Sequence, residues 1–91
     1  MNKIIEITTP TCSVCKMLKP MLAKVMESYP DIEFCVYDHE DPAIQNILTE
    51  YSIKSVPAFF FIQNDNIKDS HFGAITLPDF KKKIELLNNG N

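Results

Sequence analysis

The sequence lacks a long apolar run, a low-complexity stretch, and any cluster of positive charge beyond Lys81-Lys82-Lys83. Each absence removes a class of function. The longest apolar run, Val56 to Ile62, contains a proline and is far too short to span a bilayer, so no membrane association is expected. A net charge of −3 and an isoelectric point near 5.2 argue against a nucleic-acid partner, because neutralising phosphates needs clustered basic side chains. The lysine triplet reads as a solvated helix face. Met1-Asn2-Lys3 leads straight into an apolar strand, without the apolar stretch and small-residue cleavage site of a secretory signal. The expectation is a cytoplasmic protein. Thiols stay reduced there, and a close cysteine pair is more often catalytic or metal-binding than structural.

What is present fits one domain over residues 1–91, with 45% hydrophobic and 23% charged residues, as in ordinary soluble globular proteins. Lys3 to Thr8 is short and β-branched, as a buried strand requires. After Thr9-Pro10-Thr11, apolar residues recur at Val14, Met17, Leu18, Met21, Leu22, Val25, Met26 and Tyr29, one stripe of an amphipathic helix. Pro20 inside it predicts a kink rather than a stop, and Pro30-Asp31 ends the segment. Ile32 to Tyr37 reads as a second strand. Asp41-Pro42 is an N-cap with proline at the first helical position, and Ile44, Ile47, Leu48 and Tyr51 mark the face of a second helix. Ala58 to Gln63 is a third strand, Asn64-Asp65-Asn66 a tight turn, and Ile67 to Phe72 a fourth strand. Thr76-Leu77-Pro78-Asp79 resembles a capping box opening a last helix through Phe80, Ile84 and Leu87, which frays from Asn88 to Asn91. The fold class is α/β, in the order βαβαββα. A right-handed crossover makes the first two strands parallel and a hairpin makes the last two antiparallel, so the sheet is mixed and four-stranded, with helices on both faces.

The chemistry lies in Cys12-Ser13-Val14-Cys15, where a strand gives way to a helix. Cys12 stands at or just before the first helical turn, near unpaired backbone N–H groups and the positive end of the helix dipole. Both favour thiolate over thiol. Cys15 follows one turn later on the same side, within reach of a mixed disulfide formed at Cys12, and Lys16 adds weak positive potential. The pattern points to thiol–disulfide exchange, with Cys12 attacking and Cys15 resolving. Two plainer readings stand beside it. The cysteines are inert core residues, or half of a zinc site completed from Cys35, His39 and His71. Cys35, between Phe34 and Val36, reads as a small buried hydrophobe, and the two histidines lack paired-ligand spacing. No metal and no organic cofactor is expected.

Over nearly its whole length the sequence resembles the thioredoxin superfamily. The resemblance rests on the Ile4-Ile5-Glu6-Ile7-Thr8 strand, on Cys12-Ser13-Val14-Cys15-Lys16-Met17-Leu18-Lys19-Pro20, on Tyr51-Ser52-Ile53-Lys54-Ser55-Val56-Pro57, and on Phe72-Gly73-Ala74. It implies a minimal thioredoxin-like fold, Cys12 as nucleophile and Cys15 as resolving thiol. Pro57 would be a cis-proline opposite the cysteines. The Val56 backbone would pair with an extended substrate segment, and Gly73 would leave room for it. Glu6 stands six positions before Cys12, where thioredoxins place a buried aspartate, and is expected to assist proton transfer at Cys15 with a raised pKa. The plainer alternative is a surface glutamate.

The departures are specific. Thr11 replaces the tryptophan that usually precedes the first cysteine, which leaves it as a candidate substrate contact, and the chain has no tryptophan at all. Ser13-Val14 replaces the usual Gly-Pro, so the redox poise is not carried over. The chain starts on the central strand, closer in outline to a minimal glutaredoxin-like protein, yet it lacks the proline-aromatic pair between the cysteines and the paired glycine. The resemblance implies reduction of disulfide-containing protein substrates by a monomer. The electron donor stays open between a thioredoxin-reductase-like flavoprotein and glutathione. A glutathione-dependent glutaredoxin-like reductase and a redox-sensing interaction module with little turnover are the rival readings.

Overall fold

Strand β1 (Asn2–Thr8) runs through the middle of the sheet, as its near-unbroken apolar character demands. The computed structural model describes residues 1–53 and 55–89. After β1 come α1 (Ser13–Met26), β2 (Glu33–Asp38), a 3-10 turn (Pro42–Ile44) leading into α2 (Gln45–Glu50), β3 (Ala58–Gln63), β4 (Asn66–Phe72) and α3 (Leu77–Asn89). The strand order is β2-β1-β3-β4. β1 and β2 are parallel, while β3 is antiparallel to both β1 and β4. The βαβαββα order and the mixed sheet are thus those expected.

Strand alternation divides the core in two. On one face Ile4, Phe59 and Phe61 pack with Leu18, Leu22 and Val25 of α1 and with Phe80, Ile84 and Leu87 of α3. On the other, Ile5, Ile7, Ala58 and Phe60 pack with Ile44 and are covered by Ile47, Leu48 and Tyr51. Phe59, Phe60 and Phe61 are all fully buried because β3, like β1, has packed layers on both sides. Phe80 is the hub of the first layer. Its ring centroid lies 6.3 Å from that of Phe34, 5.9 Å from Phe59 and 6.2 Å from Phe61.

Local chemistry sets the element ends. Asp41 caps the 3-10 turn by accepting the Ala43 N–H at 2.8 Å, and Thr76 Oγ1 accepts the Asp79 N–H at 3.3 Å to open α3. The β3–β4 hairpin turns on Asn64 (φ 51°) and Asp65 (φ 67°), two residues that tolerate the left-handed region. Asn66 is already in β4, so the turn is one residue shorter than expected.

Other details also differ. Met17 and Met21, placed on the apolar stripe, are 61% and 41% exposed; the side of α1 that meets the sheet is defined by Cys15, Leu18, Leu22 and Val25. α1 continues through Pro20 but ends at Met26, and Tyr29 joins the core from the following loop. The second helix opens as a 3-10 turn rather than as α-helix. Cys35 is half-buried rather than buried, because β2 is an edge strand. α3 runs to Asn89, past the expected start of fraying, while Gly90 and Asn91 lie outside the described residues, as does Lys54.

Phe80→Ala should lower stability by about 3–5 kcal/mol, since a large ring leaves a cavity bounded by three other rings. Phe72→Ala, at a ring already 38% exposed, should cost only about 1 kcal/mol. Urea unfolding midpoints for the two variants test this ordering; equal losses would contradict the hub role of Phe80.

Candidate active site

The site is built where β1 ends. Beyond Thr8 the chain turns, and the Cys12 N–H donates to the Thr9 carbonyl at 3.2 Å. Cys12 itself keeps extended backbone angles (φ −80°, ψ 101°) and serves as the N-cap of α1. Its Sγ accepts the backbone N–H of Cys15 at 3.1 Å, the place a serine or aspartate oxygen commonly takes. The Cys12 carbonyl accepts the first helical bond, from Lys16 N–H at 3.3 Å. The first turn holds no acidic side chain, so nothing offsets the positive end of the helix. Cys12 and Cys15 are joined as a disulfide with their Cα atoms 5.3 Å apart. Both are nearly closed to solvent, at 9% and 6% exposure.

Sheet register brings the other candidate residues to the same end. Ala58 pairs with Ile7 and with Phe72. Pro57 therefore stands at the level of Thr8, and Gly73 follows at the end of β4. The Val56–Pro57 peptide bond is cis. Pro57 is fully buried, and its carbonyl accepts the Gly73 N–H at 2.7 Å. Gly73 has φ +96°, which L side chains rarely adopt. A Cβ there would meet only Ser55 Oγ at 3.5 Å, an ordinary contact, so backbone angle rather than crowding within the chain is what requires glycine. Thr11 is exposed beside Cys12, and Val56 is half-buried. A cavity of about 320 Å³ opens beside Val56, with Ile7, Thr9, Leu48, Ile53 and His39 among its walls.

Glu6 lies in the interior of β1 and is only 2% exposed, not on the surface. By register its neighbours are Val36 of β2 and Phe59 of β3, and its Oε2 has no hydrogen-bond partner. Burial pushes its pKa up from 4.5 to about 7, against the opposing pull of the Lys19 charge. Lys19 was not singled out from the sequence. The readable signal was its position four residues after Cys15, on the same side of the helix.

The remaining candidates do not converge on the cysteines. Cys35 lies in β2 at the level of Ile5, its thiol pKa raised by burial and then by the nearby Glu33. His39 sits between Asp38 and Glu40, and His71 bonds the Ala74 carbonyl at 2.9 Å. Among the described residues no group of three or more His, Cys, Asp or Glu side chains is arranged to hold a metal ion, and no helix is long and apolar enough to cross a membrane.

Comparison with known proteins agrees with this geometry. Thioredoxin H4-2 of Oryza sativa subsp. japonica is 30% identical over 80 residues, covering 88% of this chain and 58% of the relative. A thioredoxin H-type of Populus jackii is 32% identical over 73 residues, covering 80% and 50%. The chain spans between about half and two thirds of the length of such curated relatives. Among solved structures, a poplar wild-type thioredoxin h superposes with a TM-score of 0.81 at 26% identity, over 99% of this chain and 78% of that one. Mitochondrial thioredoxin 3 from Saccharomyces cerevisiae, in its oxidised form, gives 0.79 at 25%, over 92% and 76%. The thioredoxin family model matches residues 1–86, and with the cysteine pair at the head of α1 the chain belongs to the thioredoxin family.

Proposed function

We propose that this chain is a thiol–disulfide oxidoreductase that reduces disulfides in other proteins. One observation carries the reading: Cys12 Sγ sits at the N-cap of α1 and accepts the Cys15 N–H at 3.1 Å. In the dithiol form the same N–H and the same helix end stabilise a thiolate at Cys12, the reactive species in exchange.

The cycle follows from that sulfur. The Cys12 thiolate attacks one sulfur of a substrate disulfide, a mixed disulfide forms, and the other substrate sulfur leaves as a thiolate. The Cys15 thiol passes its proton to the Glu6 carboxylate, and its sulfur then attacks Cys12 Sγ. The bond between Cys12 and the substrate breaks, the substrate leaves with both its sulfurs reduced, and the Cys12–Cys15 disulfide remains. An external donor of two electrons restores the dithiol. Family membership favours a thioredoxin-reductase-like flavoprotein over glutathione in that role. The substrate would dock as an extended segment against the Val56 backbone, with Thr11, Pro57 and Gly73 bounding its path and the cavity beside Val56 taking one side chain. Such a cycle suits a monomer working in a reducing compartment such as the cytoplasm.

Glu6 suits the base role because burial brings its titration to neutral pH, where it is in part ionised and still basic enough to accept a proton. That arrangement has a stability cost whose sign is fixed. The unfolded carboxyl ionises near 4.5 and the folded one near 7, so between those values the folded state holds the extra proton and stability falls as pH rises. Each pH unit in that window costs about 1.4 kcal/mol, or about 3 kcal/mol over the whole of it.

Three outcomes are expected. Cys15→Ser should trap disulfide-bearing substrates as mixed disulfides at Cys12, seen by non-reducing gel and mass spectrometry. A folded variant that traps nothing at that sulfur would leave only the interaction-module reading. Iodoacetamide capture of Cys12 in the reduced protein should titrate well below the ordinary cysteine value of about 8.5. A titration near 9 or above would remove the activity. Glu6→Gln should slow the resolving step at neutral pH by about tenfold or more, yet raise stability at pH 8 by up to about 3 kcal/mol and leave it nearly unchanged at pH 4. A resolving-step pH profile that overlays that of the unsubstituted protein would take Glu6 out of the mechanism.

A further inference from the structure

The two margins of the sheet are built differently. β4 is blunted against further pairing: its register with β3 slips between Phe61 and Ile62, it carries the exposed Lys68, and its Asp69 is held by Lys83 of α3 at 2.7 Å. β2, the other margin, has no such protection. Its register with β1 runs without a break from Glu33 to Asp38, it contains neither proline nor lysine, and Phe34 to Tyr37 at its centre are uncharged. Val36 stands on it 47% exposed, and Phe34 is only half-buried. Two contacts at the strand end identify its free backbone groups. The His39 N–H donates to the Thr8 carbonyl at 2.9 Å, and the Tyr37 carbonyl accepts the Thr8 hydroxyl at 3.5 Å. Odd-numbered residues of β2 therefore face β1. The N–H and C=O groups of Phe34 and Val36 point outward, where no strand lies among the described residues.

We propose that the outer edge of β2 pairs with β2 of a second copy, antiparallel about a two-fold axis at Cys35, so that two four-stranded sheets join into one. Self-complementarity selects both the occupant and the register. With the axis at Cys35, Phe34 stands opposite Val36 of the second copy on the face that carries α1 and α3, and each such pair exchanges both N–H···O bonds. On the other face Glu33 stands opposite Tyr37, a carboxylate before a phenol donor rather than before another carboxylate. Neighbouring registers are worse. A shift of two residues one way sets Phe34 against the Asp38 carboxylate. A shift the other way calls on the Ile32 N–H, which the Tyr29 carbonyl already holds at 3.1 Å. An odd shift sets outward groups against groups turned to β1. Pairing covers the Val36 and Phe34 side chains that a single copy leaves at its margin. The exchange cycle is complete within each copy, and the antiparallel axis puts the two Cys12–Cys15 sites at opposite ends of the joint sheet, both open.

The axis makes Cys35 a reporter. It faces its own copy as a non-hydrogen-bonded pair, with Cα atoms about 4.5 Å apart, inside the range that a disulfide spans. The test has two readouts. Sedimentation equilibrium on the full oxidised chain should show a monomer–dimer equilibrium by about 1 mM, as a small pairing interface allows. Val36→Lys, at an exposed side chain, should raise the dissociation constant about tenfold or more. Val36→Pro should do the same, because it removes an outward donor and no bond to β1; circular dichroism checks that each variant keeps its fold. In a chain carrying Cys12→Ser and Cys15→Ser, diamide should join two Cys35 thiols as a disulfide, the diamide taking up the two electrons and two protons released. Adding Val36→Lys should slow that cross-link about tenfold at equal protein concentration. A chain still monomeric at about 1 mM would overturn the second copy as occupant and leave the edge to an extended segment of another protein. A dimer that both folded Val36 variants leave unchanged would also overturn the proposal. A dimer weakened by both variants but giving no Cys35 disulfide would refute the axis at Cys35.

Discussion

The site depends on a helix that begins directly under a sulfur atom. Cys12 takes the capping position of α1, and the Cys15 N–H that would otherwise go unpaired points at its Sγ. One contact therefore does three things. It satisfies a backbone donor, fixes the separation of the two cysteines, and supplies the local positive potential that a thiolate needs. The turn before it is pinned by the Thr9–Cys12 backbone bond, so the sulfur is held by main chain rather than by side-chain packing. This is why Ser13-Val14 between the cysteines and Thr11 before them leave the geometry intact. Those side chains act on the surroundings of the sulfur, whereas its placement comes from where β1 stops and α1 starts.

The buried acid at residue 6 pulls against stability. A carboxylate walled by Val36 and Phe59, with one oxygen unpartnered, is a group that the fold would shed if stability alone mattered. The layer around it is correspondingly well packed. Phe34, Phe59, Phe61 and Phe80 form an aromatic cluster beside it, and edge-on contacts such as Phe34 with Phe80 contribute beyond area burial. In a chain of 91 residues, where the surface buried on folding is modest, such a cluster is what allows an unfavourable buried acid to persist.

Much of this was legible in the residues. The β-branched opening, the Asp41-Pro42 cap, the capping pair at Thr76 and Asp79, and the unbroken aromatic strand each follow a local rule, and the structure obeys it. The placement of Cys12 and Cys15 was legible because spacing from a strand end to a helix start fixes it without tertiary detail, whereas the burial of Glu6 was implied by the thioredoxin resemblance and is what the structure shows. What escaped was set by packing geometry. Met17 and Met21 match a helical period, but the period does not say where on α1 the inward face stops. Cys35 reads as interior from its neighbours Phe34 and Val36, and only the strand order reveals that β2 is an edge. Lys19 was overlooked because a lysine in a helix is ordinarily solvated. Its effect on the Glu6 pKa appears only once that carboxyl is known to be buried.

The two halves of the site are linked through α1. Its N-terminus stabilises negative charge on the first sulfur, while its second turn carries Lys19, whose charge opposes the upward shift of the Glu6 pKa. Both effects favour an anion, a thiolate at Cys12 and a carboxylate at Glu6. They also differ in origin, since the first comes from backbone dipoles that no substitution removes and the second from a single side chain. Attack chemistry is therefore a property of the fold, shared wherever this strand-to-helix junction forms. The titration of residue 6 is a property of this sequence, set by the burial of that acid and opposed by the charge of Lys19.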